Sequence, residues 1–111
     1  QFYPTNSMDL SQKQWTEQVA NQEDVIIIDV RTPAEWSEGI IPNALLIDIY
    51  SGQHFVDTIN GLQDKDANYY VYCRSGVRSH QTCNYMMQQG FSNVFNLEGG
   101  IMQYNGELVQ P

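Results

Sequence analysis

Positive charge is scarce in this chain. Only five of its 111 residues are Lys or Arg, against 13 Asp and Glu, for a formal charge of -8. Such a balance repels phosphate backbones and anionic headgroups, so it argues against non-specific binding to nucleic acid or to an anionic membrane. Long hydrophobic runs are missing too. The longest aliphatic runs, Val25 to Ile28 and Ala44 to Ile47, are strand-sized and far short of the roughly 20 residues a membrane span needs. Cysteine is limited to Cys73 and Cys83, too few for a disulfide scaffold. If a loop after Cys73 feeds a helix, Cys83 lies well down that helix and out of reach of a bridge, so both are read as thiols. His54 and His80 complete the metal-ligand residue types Cys and His, but no CxxC or HxxxH pairing occurs. No metal and no other cofactor is expected. The first residue is Gln1 rather than Met, which is read as processing or truncation and leaves cytoplasmic and exported locations both open.

What is present alternates. Residues 1–8 are polar and contain Pro4, and read as a peripheral lead-in to a single domain over 9–111. "LSQKQWTEQVAN" offers Ser11 as an N-cap, with Trp15 and Val19 on one helical face. "DVIIIDV" (24–30) is a continuous β-branched run, the pattern of a strand covered on both faces. "TPAEWSEG" reads as a short helix, with Thr32 as N-cap, Pro33 at N1, Glu35 closing a capping box and Gly39 ending it. A second strand is expected over 44–50 and a helix over 52–60. The third strand, "YYVYC", ends at Cys73. A helix follows from Val77 to Gln89, with Cys83, Met86 and Met87 on its inner side and Gly90 as its stop. "NVFNL" (93–97) is a further strand. Strands alternating with helices predict an α/β domain on a mostly parallel sheet with helices on both faces.

Ligands of open α/β sheets bind beyond the carboxyl ends of the strands, and Cys73 falls at such an end. In "CRSGVRS" a tight loop directs successive N–H groups inward, as in an anion nest, and the following helix aims its positive end at the same place. Gly76 supplies the backbone freedom for the turn. Arg74 and Arg78 add charge at the rim. All of this favours thiolate over thiol, so Cys73 is the candidate nucleophile.

The chain resembles a single-domain rhodanese, a thiosulfate sulfurtransferase-type domain, from about Asp24 to Leu108. The motifs run in the family's order. "IIIDVRTPAEWSEG" carries Asp29-Val30-Arg31 at a strand end, "EGIIPNALLIDI" resembles EGHIPGAxxI, "VYCRSGVRS" resembles the active-site loop, and "GFSNVFNLEGGI" resembles the stretch before the C-terminal helix. Ile40, Asn43 and Tyr104 depart from the family's usual His, Gly and Trp, all outside the cysteine loop. The related cysteine-loop phosphatases have a longer loop with Arg at the sixth position after Cys. That position here is Ser79, which shifts the expectation from phosphate to sulfur. The resemblance therefore implies a rhodanese-like fold and sulfur transfer. Cys73 takes a sulfane sulfur from a small anionic donor such as thiosulfate, or from a persulfide. Amides of Arg74, Ser75, Gly76, Val77 and Arg78 hold the Cys73 persulfide, which passes its sulfur to cyanide or a thiol. An alternative is a persulfide carrier or regulatory module serving a protein donor or acceptor. A phosphatase or arsenate reductase ranks below both.

Asp29 and Arg31 are read as support beneath the loop, with Arg31 pairing with Glu35 or Glu38. His80, at the helix start, is expected to be solvated rather than a base, and Cys83 to be inert core.

Overall fold

The computed structural model describes residues 8–111. Five strands, β1 (Asp9–Leu10), β2 (Val25–Asp29), β3 (Leu45–Leu46), β4 (Asn68–Tyr72) and β5 (Asn93–Leu97), form one sheet in the order β1-β5-β4-β2-β3. Every pairing in it is parallel. Four helices connect them: α1 (Gln12–Ala20), α2 (Pro33–Trp36), α3 (Gln53–Asn60) and α4 (Val77–Gln88). The α/β architecture expected from the alternating pattern is what forms.

The strands are mostly apolar because both sheet faces are covered. Side chains alternate across the sheet, so Tyr69 and Val71 of β4 join Phe55, Ile59, Cys83 and Met86 on one face. Tyr70 and Tyr72 join Trp15, Leu10 and Leu97 on the other. Trp15 meets Tyr70 and Tyr72 edge-on at 5.9 and 6.2 Å. Each fully buried aliphatic or aromatic side chain of this kind contributes about 1.5–3 kcal/mol, so the two clusters carry the fold. The caps form as expected. Ser11 and Thr32 each accept from the N3 backbone N–H, and Gln14 and Glu35 reach back to the cap backbone. Such a cap is worth about 1 kcal/mol.

The expected second strand over 44–50 is cut to Leu45–Leu46. Ile47 N still donates to Asp29 O at 2.9 Å, but the Asp48 carboxylate then accepts from Tyr50 N at 2.8 Å and turns the chain away. β1 was not expected at all; two residues leave no periodic signal. Of the expected lead-in, residues 1–7 lie outside the described residues, while Met8 is buried in the core rather than peripheral. Met87 is 50% exposed, not on the inner side of α4. Its neighbour Met86 faces the core, and consecutive helical residues point about 100° apart. In place of a C-terminal helix there is a single 3-10 turn, Ile101–Gln103. No helix of the described residues is long and apolar enough to cross a membrane.

Candidate active site

The sheet delivers its middle strands' carboxyl ends to one edge of the molecule. β4 closes at Tyr72, so Cys73 is the first residue past the strand rather than its last, with none of its surface exposed. Gly76 has φ +102°, a left-handed conformation that reverses the chain into α4. A Cβ there would meet Gly99 N at 3.1 Å and Leu97 O at 3.3 Å, so the loop is packed against the end of β5. From behind, Ile101 N donates to Cys73 O at 2.9 Å and Met102 N to Arg74 O at 3.1 Å. A Cβ on Gly100 would fall on the Arg74 carbonyl. The loop is thus clamped by a turn distant in sequence.

The Cys73 sulfur sits where donors converge. Gly76 N–H donates to Sγ at 3.1 Å, Ser79 N–H at 3.4 Å, and the Ser79 hydroxyl at 3.2 Å. Burial alone would push the thiol pKa up. The Ser79 hydroxyl and N–H, with the N–H groups of Gly76 and Ser75, outweigh it and bring the pKa below the ordinary thiol value. Ser79 was valued in the sequence only for not being arginine; its hydroxyl donor was missed. A hydroxyl residue one turn into the helix that starts beside a cysteine was the available signal.

The loop side chains point outward. Arg74, Ser75 and Val77 are exposed, and Arg74 forms no ion pair among the described residues. Arg78 is not a free rim charge. Its guanidinium forks onto Glu35 at 2.8 and 2.9 Å and lies over the Tyr50 ring at 5.9 Å. Arg78's hydrogen bond, aided by those from Thr32 and opposed by burial, lowers the Glu35 pKa to about 2.

Arg31 does not pair with Glu35 or Glu38. It grips Asp29 through Nε at 3.1 Å and a terminal nitrogen at 2.8 Å, and the same nitrogen reaches Gly39 O at 2.8 Å. Asp29, the last residue of β2, and Arg31, two residues on, are close enough to pair directly, while Glu35 is turned toward Arg78. Burial pulls the Arg31 pKa down, but the Asp29 hydrogen bond and charge reverse this and leave it raised. Asp29 also accepts from Trp36 Nε1 at 3.2 Å. Neither residue bonds Cys73. They hold α2, whose Glu35 holds Arg78 beside the loop.

His80 is not simply solvated: its Nδ1 lies 2.9 Å from Asp9 Oδ1. Cys83 is a free, buried thiol, its pKa pushed up by burial and by the nearby Asp9 and Cys73 charges. Among the described residues no group of three or more His, Cys, Asp or Glu is placed to hold a metal ion.

A family model described as the rhodanese-like domain matches residues 12–107. The chain belongs to that family. Its relatives include a protein of Allochromatium vinosum named sulfurtransferase, 43% identical over 89 residues, covering 80% of this chain and 79% of the other. A tRNA uridine(34) hydroxylase of Legionella pneumophila is 34% identical over 97 residues, covering 86% of this chain and 38% of that longer protein. The crystal structure of a rhodanese-like domain protein from Staphylococcus aureus superposes with a TM-score of 0.79 at 31% identity, covering 93% of this chain and 97% of the other. The rhodanese-like fold is therefore shared along nearly the full length.

Proposed function

We propose that this rhodanese-like domain is a sulfurtransferase working through a persulfide on Cys73. The observation that carries the reading is the cradle of donors on a buried sulfur: Gly76 N–H, Ser79 N–H and the Ser79 hydroxyl all fall on Sγ. Such a group stabilises the thiolate that must attack. The Cys73 thiolate attacks the outer sulfur of an anionic donor such as thiosulfate; the new S–S bond forms as the donor's S–S bond breaks, and sulfite leaves with the electron pair. Cyanide or a thiolate then attacks the outer sulfur of the persulfide, takes it up, and returns Cys73 as thiolate. Arg74, exposed and outside any ion pair among the described residues, is suited to draw in the anionic donor. Arg78 acts mainly through Glu35, as a fastening of the loop. Sulfur transfer as the general chemistry is also supported by the sulfurtransferase relative of Allochromatium vinosum.

Intact mass after incubation with thiosulfate is the test. One added sulfur atom that cyanide removes is expected in the wild type, and none in Cys73→Ser. Robust thiosulfate:cyanide activity in Cys73→Ser overturns the reading.

A persulfide carrier for a protein partner is favoured by a different observation. Tyr50, Val77 and Met102 are 71, 62 and 63% exposed. Tyr50 touches Arg78, Val77 opens α4, and Met102 bonds the Arg74 carbonyl. Large apolar groups around the loop suit contact with another protein. Little transfer from thiosulfate, with ready loading from a protein persulfide, would select this version. Phosphate release from an aryl phosphate would instead point to the phosphatase class, against which Ser79 argues.

A further inference from the structure

Helix α4 begins without the side-chain cap that α1 and α2 have. Its N-cap residue is Gly76, which has no side chain to bond the helix N–H groups. Ser79 N–H, the third of the helix, is on Cys73 Sγ. The first two, Val77 N–H and Arg78 N–H, bond none of the described residues. What fastens this end is a carbonyl. Gly76 O accepts from His80 N–H at 3.2 Å, the first bond of the helix, and from Asn96 Nδ2 of β5, also at 3.2 Å.

Asn96 is an unexpected residue in this place. It is only 3% exposed, on a strand whose other buried residues are Val94 and Leu97, and its Oδ1 has no hydrogen-bond partner among the described residues. A buried unpaired acceptor costs stability, so packing alone favours an apolar side chain here. The orientation of the amide is fixed. Nδ2 donates to Gly76 O and, at 2.8 Å, to Asp9 Oδ1, and turning it over would set oxygen against oxygen at both. Asp9 stands opposite Asn96 in the pairing of β1 with β5, and its Oδ1 also lies 2.9 Å from His80 Nδ1. Asn96 is thus held from one side and holds Gly76 from the other.

The Gly76 carbonyl and the Val77 N–H belong to one peptide plane. No peptide bond among the described residues is cis, so the two point in opposite directions. With the carbonyl drawn to His80 and Asn96, Val77 N–H is aimed out of the helix start, the direction in which Ser79 N–H meets the sulfur. The donors already on Sγ are Gly76 N–H, Ser79 N–H and the Ser79 hydroxyl, none of them part of that plane. A second sulfur lies one S–S bond, about 2 Å, beyond Sγ, and needs donors that the thiolate does not use. We propose that Asn96 is a positioning residue for the persulfide: by holding the Gly76 carbonyl it keeps Val77 N–H turned to the outer sulfur on Cys73. The proposal rests on the persulfide reading of Cys73. It divides the loop between two tasks, because the donors to the thiolate stay in place without Asn96.

Wild type, Asn96→Leu, Asp9→Ala and Asp9→Asn are loaded with inorganic polysulfide, with Cys73→Ser as the blank for sulfur elsewhere. Sulfite is then added at fixed thiosulfate. It takes the outer sulfur as thiosulfate and returns Cys73 as thiolate, and intact mass reads the fraction still loaded. One hydrogen bond to a charged group changes such an equilibrium about tenfold, so Asn96→Leu should be half unloaded at about one-tenth of the wild-type sulfite concentration. The pH inflection of iodoacetamide alkylation of the unloaded protein should stay at the wild-type value. Asp9→Ala, on the partly exposed edge strand, should move the sulfite midpoint the same way by less. Asp9→Asn, which keeps an oxygen for Asn96, should restore most of that loss, and these two variants decide the matter if Asn96→Leu does not fold. Unchanged sulfite midpoints in the folded variants overturn the proposal, as does an Asp9→Asn midpoint as low as that of Asp9→Ala. A midpoint and an alkylation inflection that move together overturn it too, since that is a loosening of the whole loop. A wild type that takes up no sulfur overturns the persulfide reading itself and this proposal with it.

Discussion

Ser79 holds the Cys73 sulfur with both of its donors, the hydroxyl at 3.2 Å and the N–H at 3.4 Å, from a fully buried position on α4. The backbone contact belongs to the loop's geometry and any residue would make it. The hydroxyl belongs to serine. The lowered pKa of Cys73 therefore rests on one replaceable atom and on several that are not.

Ser79→Ala should move the thiol pKa upward, toward the ordinary value, because burial persists while one donor to the thiolate is lost. A hydrogen bond to a charged group is worth about 1.5–3 kcal/mol. The alkylation rate of Cys73 with iodoacetamide near pH 7 should accordingly fall by about tenfold or more. The inflection of the pH–rate profile shifts to higher pH, and the two proteins converge in alkaline solution. An unchanged inflection would show the hydroxyl to be a bystander.

The Glu35–Arg78 fork should appear as acid sensitivity. The Arg78 fork holds the Glu35 pKa at about 2 in the folded protein, against an ordinary value of 4.5. A depressed carboxyl stabilises the fold fully above the unfolded value. Its contribution falls away as pH drops from about 4.5 to about 2. Urea midpoints for wild type and Glu35→Gln should differ at pH 6, with the wild type higher, and draw together over that acid range. A gap that stays constant down to pH 2.5 would mean that the fork is not its source.

Arg31→Met separates support from chemistry at the Asp29–Arg31 pair, whose side chains are 0 and 4% exposed. Removing one partner leaves a buried carboxylate without its counter-charge, a loss of about 3–5 kcal/mol. At about 4 °C per kcal/mol for a chain of this size, Tm should fall by more than 10 °C. A protein with wild-type Tm and no Cys73 reactivity would instead put Arg31 in the chemistry.

Gly100→Ala tests the clamp. The new methyl group meets the Arg74 carbonyl, and φ is +65° at this position. The expected result is a folded protein whose amide signals shift over residues 73–79 and whose Cys73 alkylates more slowly at neutral pH. Wild-type rates and unmoved loop signals would show that the turn gives way without disturbing the loop.

Much of this was legible in the chain because the signals were local. Thr32, Pro33 and Glu35 lie within one helical turn, and the continuous run at 25–28 could belong only to a strand covered on both sides. The loop, the glycine turn and the helix behind Cys73 are likewise consecutive. The errors came where partners are separated in sequence. Arg31 had two glutamates within helical reach, yet the nearer Asp29 took it, and this freed Glu35 for Arg78, 43 residues on. Asp9 carried no signal of its own because its partners are His80 and Asn96. Ser79 is legible only in part: its lack of a guanidinium can be read from the sequence, but that its hydroxyl turns onto the sulfur depends on the folded loop.

Ile101 and Met102, which bond the carbonyls of Cys73 and Arg74, also leave the ribosome well after the loop they clamp. The donors that fall on the sulfur lie within six residues of it, so that half of the cradle can assemble early. The other half cannot. A nascent chain holds its nucleophile in an unfinished setting until residues 100–102 arrive, and the poised thiol becomes a property of the finished molecule rather than of the segment that encodes it.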